Sequence, residues 1–191
     1  MNVIYIDSSP LCRIGVKELL GGVLFFHKPS ESILERIKED PDLIIMDFPR
    51  EIYSFEDYLR FINLLRYKYL SVKLLFFIDR TSPLISSLIS EANPDAILNK
   101  SSSLKVIKET CISLIDQGHP ANSCGLKKSK TAHITRGEIA VLCETARTWD
   151  VGITARRLNL NPKTVYSHLN NVGKKFGIRN RLELFKMMVL L

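Results

Sequence analysis

Residues 41–47 read Pro-Asp-Leu-Ile-Ile-Met-Asp, and this stretch decides the fold. Pro41 and Asp42 break the chain, four apolar residues follow without interruption, and an acid closes the run. A strand with one face in water alternates apolar and polar residues. An unbroken apolar run between turn residues is a strand buried on both faces, as in a parallel sheet covered by helices. Working outward, the pattern recurs. Asn2–Ile6 is apolar and β-branched and ends at Asp7, ahead of the capping residues Ser8, Ser9 and Pro10. Val23–Phe26, Leu74–Ile78 and Ala96–Leu98 complete five strands. Helical spacing fills the gaps: Leu11, Ile14, Leu19 and Leu20 before Gly21–Gly22; a stretch from Ser30 to Glu39; and Phe55–Leu70 with Leu59, Ile62, Leu65 and Tyr69 on one face. Residues 83–91 and Leu104–Gln117 follow, the latter behind Ser102 or Ser103. Strands alternating with helices predict a doubly wound, five-stranded parallel sheet over residues 1–117. The crevice of such a sheet lies at the carboxyl ends of its strands. Asp7, Asp47, Ile78 or Asp79, and Lys100 stand there.

Composition narrows the function. The 191 residues are 46% hydrophobic and 25% charged, enough to bury a core and unlike a disordered chain. No apolar run approaches the roughly 20 residues of a membrane span. The first residues reach an acid at Asp7 with no basic segment, which is unlike a secretory signal and predicts a cytoplasmic protein. Cys12, Cys111, Cys124 and Cys143 are scattered, with no zinc-type spacing. There is no phosphate-binding glycine loop, catalytic triad or metal cluster, so neither an enzyme nor a cofactor is expected. Charge is uneven: residues 1–120 carry a net −2 and residues 121–191 a net +9. A basic half of that kind suits a polyanion.

Residues 118–133 have no apolar periodicity and contain Gly118, Pro120, Gly125 and Lys127-Lys128-x-Lys130, which predicts a linker, with His119 and His133 exposed and without a role. From Ile134 the pattern is helical. Thr135 and Glu138 have capping-box spacing, and Ile139, Leu142 and Ala146 line one face, with Trp149 at the end of that core. A short helix over Val151–Leu158 leads through Asn159-Leu160-Asn161-Pro162 into a helix from Pro162 to Phe176, stopped by Gly177. A fourth helix runs from Arg181 to Leu191 behind Asn180. Two short helices joined by a turn predict an all-α helix-turn-helix domain of four helices over 134–191. On the third helix, Val165, His168, Val172 and Phe176 are spaced to face inward. Lys163, Tyr166, Ser167, Asn170 and Lys174 face the other way.

Two resemblances attach to these residues. Residues 1–117 resemble the receiver domain of bacterial response regulators: Asp7 matches its first acid, Asp47 its phosphoacceptor and Lys100 its phosphoryl-pairing lysine. In that family the acids hold a hard cation, and cation and lysine together offset charge on the transferred phosphoryl group. Ser8 stands where the second acid belongs, and Ile78 where a Ser or Thr reports the phosphoryl group. The resemblance therefore implies a degenerate receiver in which Asp7, Asp47 and Lys100 remain as pocket remnants. Residues 134–184 resemble the LuxR-type (NarL/FixJ-like) DNA-binding domain through Thr135-x-x-Glu138, Val141-Leu142, Ala155-Arg156-Arg157-Leu158, Lys163-Thr164-Val165, His168, Asn171, Lys174-Lys175-Phe176-Gly177-Ile178 and Asn180-Arg181-x-Glu183. The departures are Gly137, Thr148, Ile153-Thr154 and Gly173.

That likeness implies that Tyr166, Ser167 and Asn170 enter the major groove. It puts Lys163, Thr164 and Lys174 near phosphates, and Arg156 and Arg157 on the backbone. It also implies that the last helix, with Leu182, Phe185, Met188 and Val189, serves as a dimer element. Together the halves resemble accessory regulators typified by RcsA and BglJ. The expectation is a phosphorylation-independent transcription regulator on double-stranded DNA, a homodimer or a heterodimer with another response regulator. The alternative is a conventional response regulator phosphorylated at Asp47.

Overall fold

The computed structural model describes residues 2–49, 51–79, 81–117 and 132–189. The first part alternates β1 (Val3–Ile6), α1 (Pro10–Leu20), β2 (Val23–Phe26), α2 (Glu31–Arg36), β3 (Leu43–Asp47), a 3-10 turn (Ile52–Ser54), α3 (Phe55–Lys68), β4 (Lys73–Ile78), α4 (Pro83–Ala92), β5 (Ala96–Asn99) and α5 (Leu104–Gln117). The five strands form one parallel sheet in the order β2-β1-β3-β4-β5. Every residue of β1 and β3 is buried, as their unbroken apolar runs require.

Local chemistry sets most boundaries. Ser9 accepts the Cys12 amide through its side chain and Pro10 opens α1, while Gly21 ends it at a φ of 70°, where a side chain would be strained. The helical stretch expected from Ser30 to Glu39 stops at Arg36 instead. Ile37 is buried in extended conformation, so burial of its side chain overrides the continuation of the helix. The core on one face of the sheet comprises Val3, Tyr5, Leu43, Ile45, Leu75, Phe77 and Leu98 from the strands with Val16, Ile107, Cys111 and Leu114 from α1 and α5. Tyr5, fully buried in it, lies edge-on to Phe25 and Phe77.

The second part is helical: α6 (Arg136–Thr148), α7 (Val151–Arg157), α8 (Pro162–Phe176) and α9 (Arg181–Val189). The predicted linker lies outside the described residues except at Ala132 and His133, as do Cys124, His119 and the last two residues of the fourth helix. His133 is exposed, as expected, yet its Nε2 lies 2.8 Å from Glu91 Oε1. The chain groups into two compact units. One comprises Met1–Phe48, Arg60–Arg80 and Ala92–Ser129; the other comprises Pro49–Leu59, Thr81–Glu91 and Lys130–Leu191. Within the second, α6 is central, packing on α7, α8, α9 and the 3-10 turn. The buried Cys143 thiol donates to the Ile52 carbonyl, and Ser87 Oγ accepts the Ile134 amide. Among the described residues no helix is long and apolar enough to cross a membrane.

Candidate functional site

Chain direction reverses its sideways progress at β1, which pairs with β2 on one side and β3 on the other. The crevice at such a switch point lies past the strand ends, and Asp7 and Asp47 stand there, both buried. Lys100 follows β5, its amide bonded to the Ile78 carbonyl. Its ammonium donates to Asp47 Oδ1 at 2.8 Å and Asp7 Oδ2 at 3.1 Å, with Asp79 Oδ2 at 3.8 Å. The three pocket residues read from the sequence thus meet in one cluster. Tyr5 was not among them. Its hydroxyl donates to Asp7 Oδ2 at 2.6 Å, and the Ser9 amide donates to Asp7 Oδ1 at 2.7 Å. The available signal was position: Tyr5 is a polar-tipped residue in an otherwise apolar strand, two residues before Asp7 and therefore on the same face of β1.

The electrostatics divide the two acids. Burial works against ionisation of Asp7, but the Tyr5 hydroxyl, the Ser9 amide and Lys100 together hold its carboxyl below the usual range. Burial dominates at Asp47 and lifts its pKa to about 6, against the pull of Lys100. Burial would lower Lys100, but Asp47 and Asp7 outweigh it and raise its pKa. Burial and the Asp7 contact push the Tyr5 phenol well above its ordinary value.

Receiver folds imply a divalent cation at this place. Magnesium needs several oxygen ligands in near-octahedral array. Here an ammonium lies between the two acids, both oxygens of Asp7 already accept hydrogen bonds, and Ser8 adds no anionic ligand. These residues do not fit the cation. Ile78 is buried and apolar at the strand end where a hydroxyl would be needed to bond a phosphoryl oxygen.

In the helical unit the caps place the candidate reading face. Thr135 and Glu138 form the full capping box at the start of α6. Lys175 Nζ reaches Glu138 Oε2 at 2.7 Å. Burial opposes ionisation of Glu138, but Lys175 and the Thr135 bonds hold its pKa below the usual range. The turn into α8 uses Asn159 at a φ of 52°. Asn161 then accepts the Lys163 amide, and Pro162 stands at the first helical position. At the far end the Gly177 and Ile178 amides both bond to the Gly173 carbonyl. A side chain on Gly173 would meet the Ile178 carbonyl at 3.4 Å, so the glycine suits this tight helix end.

On α8, Lys163, Tyr166, Ser167, Asn170 and Lys174 are all exposed, and Thr164 is half-buried. Ser167 Oγ donates to the Lys163 carbonyl. The inward face differs from the expected Val165, His168, Val172 and Phe176. Val165, Leu169 and Val172 are buried, whereas His168 and Phe176 are only half-buried. The His168 ring lies over Gly137, where an added side chain would come within 3.4 Å of it. Helical spacing alone could not rank the adjacent residues His168 and Leu169; the packing of the unit buries Leu169.

On α7, Arg156 is exposed. Arg157 is also exposed, but it does not project freely: its Nη1 donates to Glu144 Oε1 at 2.8 Å. Glu144, unremarked in the sequence, is buried in α6 and also takes Arg147 at 3.0 Å. Thr148 and Thr154 pair through their hydroxyls at 2.9 Å. Two of the positions where the sequence departs, Thr148 and Thr154, are thus joined to each other by a hydrogen bond. On α9, Leu184 and Met188 are core, Phe185 packs edge-on to Trp149, and Leu182 is exposed.

Residues 132–188 match the family described as bacterial regulatory proteins, luxR family. The chain is a doubly wound α/β fold of receiver type followed by a four-helix unit, and it is this helical unit that is similar to the luxR family. No curated protein matches it. Among solved structures, it is similar to the RcsB response regulator of Salmonella typhimurium at 22% identity and a TM-score of 0.67, covering 100% of this chain and 98% of that one. RcsB of Salmonella enterica serovar Typhimurium bound to promoter rprA with the phosphomimetic BeF3− gives 21% identity and a TM-score of 0.70, covering 100% and 99%. A structure of two RcsB dimers bound to two parallel DNAs gives 20% and 0.63 over 100% and 99%. At such identities the likeness is one of fold.

Proposed function

We propose that this chain is a cytoplasmic transcription regulator that binds double-stranded DNA through residues 134–191 and acts without phosphorylation at Asp47. The observation that carries the proposal is the outward face of α8. Tyr166, Ser167 and Asn170 offer hydrogen-bonding groups there, Lys163 and Lys174 offer cations, and all five are exposed beside a buried apolar seam. Such a helix reads base edges with its polar side chains and holds phosphates with its cations. Thr164 and Arg156 add backbone contacts. Residues 1–117 act as a pseudo-receiver joined by the 118–133 linker. Its internal Lys100 cation, paired with both acids, stands in for the arrangement that other receivers reach by binding metal and phosphoryl. This resembles the accessory-regulator type.

The protein works as a dimer, either with itself or with another response regulator. The exposed Leu182 of α9 is one element of that surface, and RcsB dimers on DNA are among its structural relatives. A second reading, the conventional response regulator, is supported by Asp47 itself, which stays at the end of β3 within reach of Lys100.

The test is binding of the full chain to duplexes selected from a random pool. It is run with and without acetyl phosphate and magnesium, for the natural protein and Asp47→Asn. Affinity within about twofold in all four cases, roughly 0.4 kcal/mol, is expected. Donor-dependent tightening that Asp47→Asn abolishes would install the second reading instead.

A further inference from the structure

Arg157 lies on α7, among the residues a DNA-binding reading places on the phosphate backbone. The structure assigns it a different partner. Glu144 is a carboxylate in the interior of the second unit, its side chain 8% exposed. A charge at that depth must be paired. Its two oxygens divide the work: Oε2 takes Arg147 Nη1 at 3.0 Å, one turn along α6, and Oε1 takes Arg157 Nη1 at 2.8 Å from α7. Arg147 is itself shared, since its Nη2 donates to the Tyr53 carbonyl at 3.1 Å. Swinging Arg157 out to a phosphate would leave Oε1 without the only cation that pairs with it among the described residues. Beside this pair, Thr154 Oγ1 bonds to Thr148 Oγ1 at 2.9 Å and to the Asp150 carbonyl at 2.7 Å. Polar contacts therefore tie α6 to α7 at Glu144–Arg157 and at Thr148–Thr154. The turn Asn159–Asn161 connects α7 directly to α8, with the Leu160 amide bonded to the Ala155 carbonyl.

We propose that Glu144 and Arg157 form a positioning pair that sets α7, and through it the reading helix α8, and that Arg157 is not a phosphate contact. This rests on the DNA-binding reading above. Because a phosphate contact and a positioning pair affect salt dependence differently, the two roles separate. Each neutralised phosphate contributes about 0.9 to the slope of log affinity against log salt.

The experiment uses the full chain and its selected duplex. It compares natural protein, Arg157→Ala, Glu144→Gln and the double variant across a salt series, with circular dichroism verifying that each is folded at the assay temperature. Expected are a loss of about tenfold for each single variant on the selected duplex, no further loss in the double variant, and an unchanged salt slope throughout. Affinity for random duplex should hold within about twofold, because phosphate contacts dominate there. A slope shallower by about 0.9 in Arg157→Ala, or additive losses in the double variant, would overturn the assignment. Where Arg157→Ala proves unfolded, Arg157→Gln replaces it: the amide can still donate to Glu144 Oε1, but the phosphate-binding charge is gone. A salt slope shallower by about 0.9 in Arg157→Gln would equally overturn the assignment. Natural protein with no salt-dependent binding would instead overturn the DNA-binding reading, and this assignment with it.

Discussion

The Lys100 ammonium lies 2.8 Å from Asp47 Oδ1 and is only 13% exposed, so the cation of this pocket belongs to the chain itself. Asp7, on the other side of the ammonium, is fully enclosed. Lys100 is the cation that offsets both buried acids. Lys100→Met leaves two acids facing each other in a buried crevice, and breaking a buried pair in this way costs about 3–5 kcal/mol. Urea unfolding should show a loss of that order, and Asp47→Asn added to Lys100→Met should recover part of it. A loss under about 1 kcal/mol would mean that the pair is solvated and weak.

The raised Asp47 pKa predicts a pH dependence. An unfolded Asp titrates near 3.8, and the folded one near 6. Between those values the folded state binds the extra proton, so stability from this group falls as pH rises through the window and levels off above about 6. Asp7, held below the usual range, acts oppositely: its contribution is present above an ordinary Asp pKa and is lost as pH falls through its own lower value. Unfolding free energies of the natural protein minus those of Asp47→Asn, measured from pH 4 to 6.5, should decline across the window. A flat difference would place Asp47 at an ordinary value.

Base reading should concentrate on α8. Tyr166→Ala or Asn170→Ala should cost on the order of 1–3 kcal/mol on the selected duplex and much less on random DNA. Lys174→Ala should weaken both about equally. Competition binding against the two DNAs measures this, and equal effects from all three substitutions would contradict the face assignment.

Thr135 closes the capping box of α6 through the Glu138 amide, and α6 is the helix on which α7, α8 and α9 pack. Thr135→Ala should cost about 1 kcal/mol of stability, and Thr135→Ser should restore most of it. Thermal or urea unfolding of both variants would show it; equal losses for Ala and Ser would mean that the hydroxyl bond contributes little.

Caps and apolar runs are local chemistry, which is why so much was legible in the chain. Pro41–Asp47 announced a strand buried on both faces, and Asn161, Pro162 and Gly177 bounded α8 at the residues where it starts and stops. Exposure of Lys163, Tyr166, Ser167, Asn170 and Lys174 also followed from spacing on a single helix. Tertiary structure decided what spacing cannot carry. It ended α2 at Arg36 because Ile37 is wanted in the core. It buried Leu169 and left His168 half-buried, its ring over Gly137 of α6. It brought Lys100 to an acid 93 residues away, put the Tyr5 hydroxyl on that same acid, and gave Arg157 to Glu144. Propensity and capping act over three or four residues and are written in the sequence order. The partner of a buried charge is chosen by which elements the fold brings together, since an unpaired charge cannot stay in the interior and takes the nearest opposite group the packing supplies.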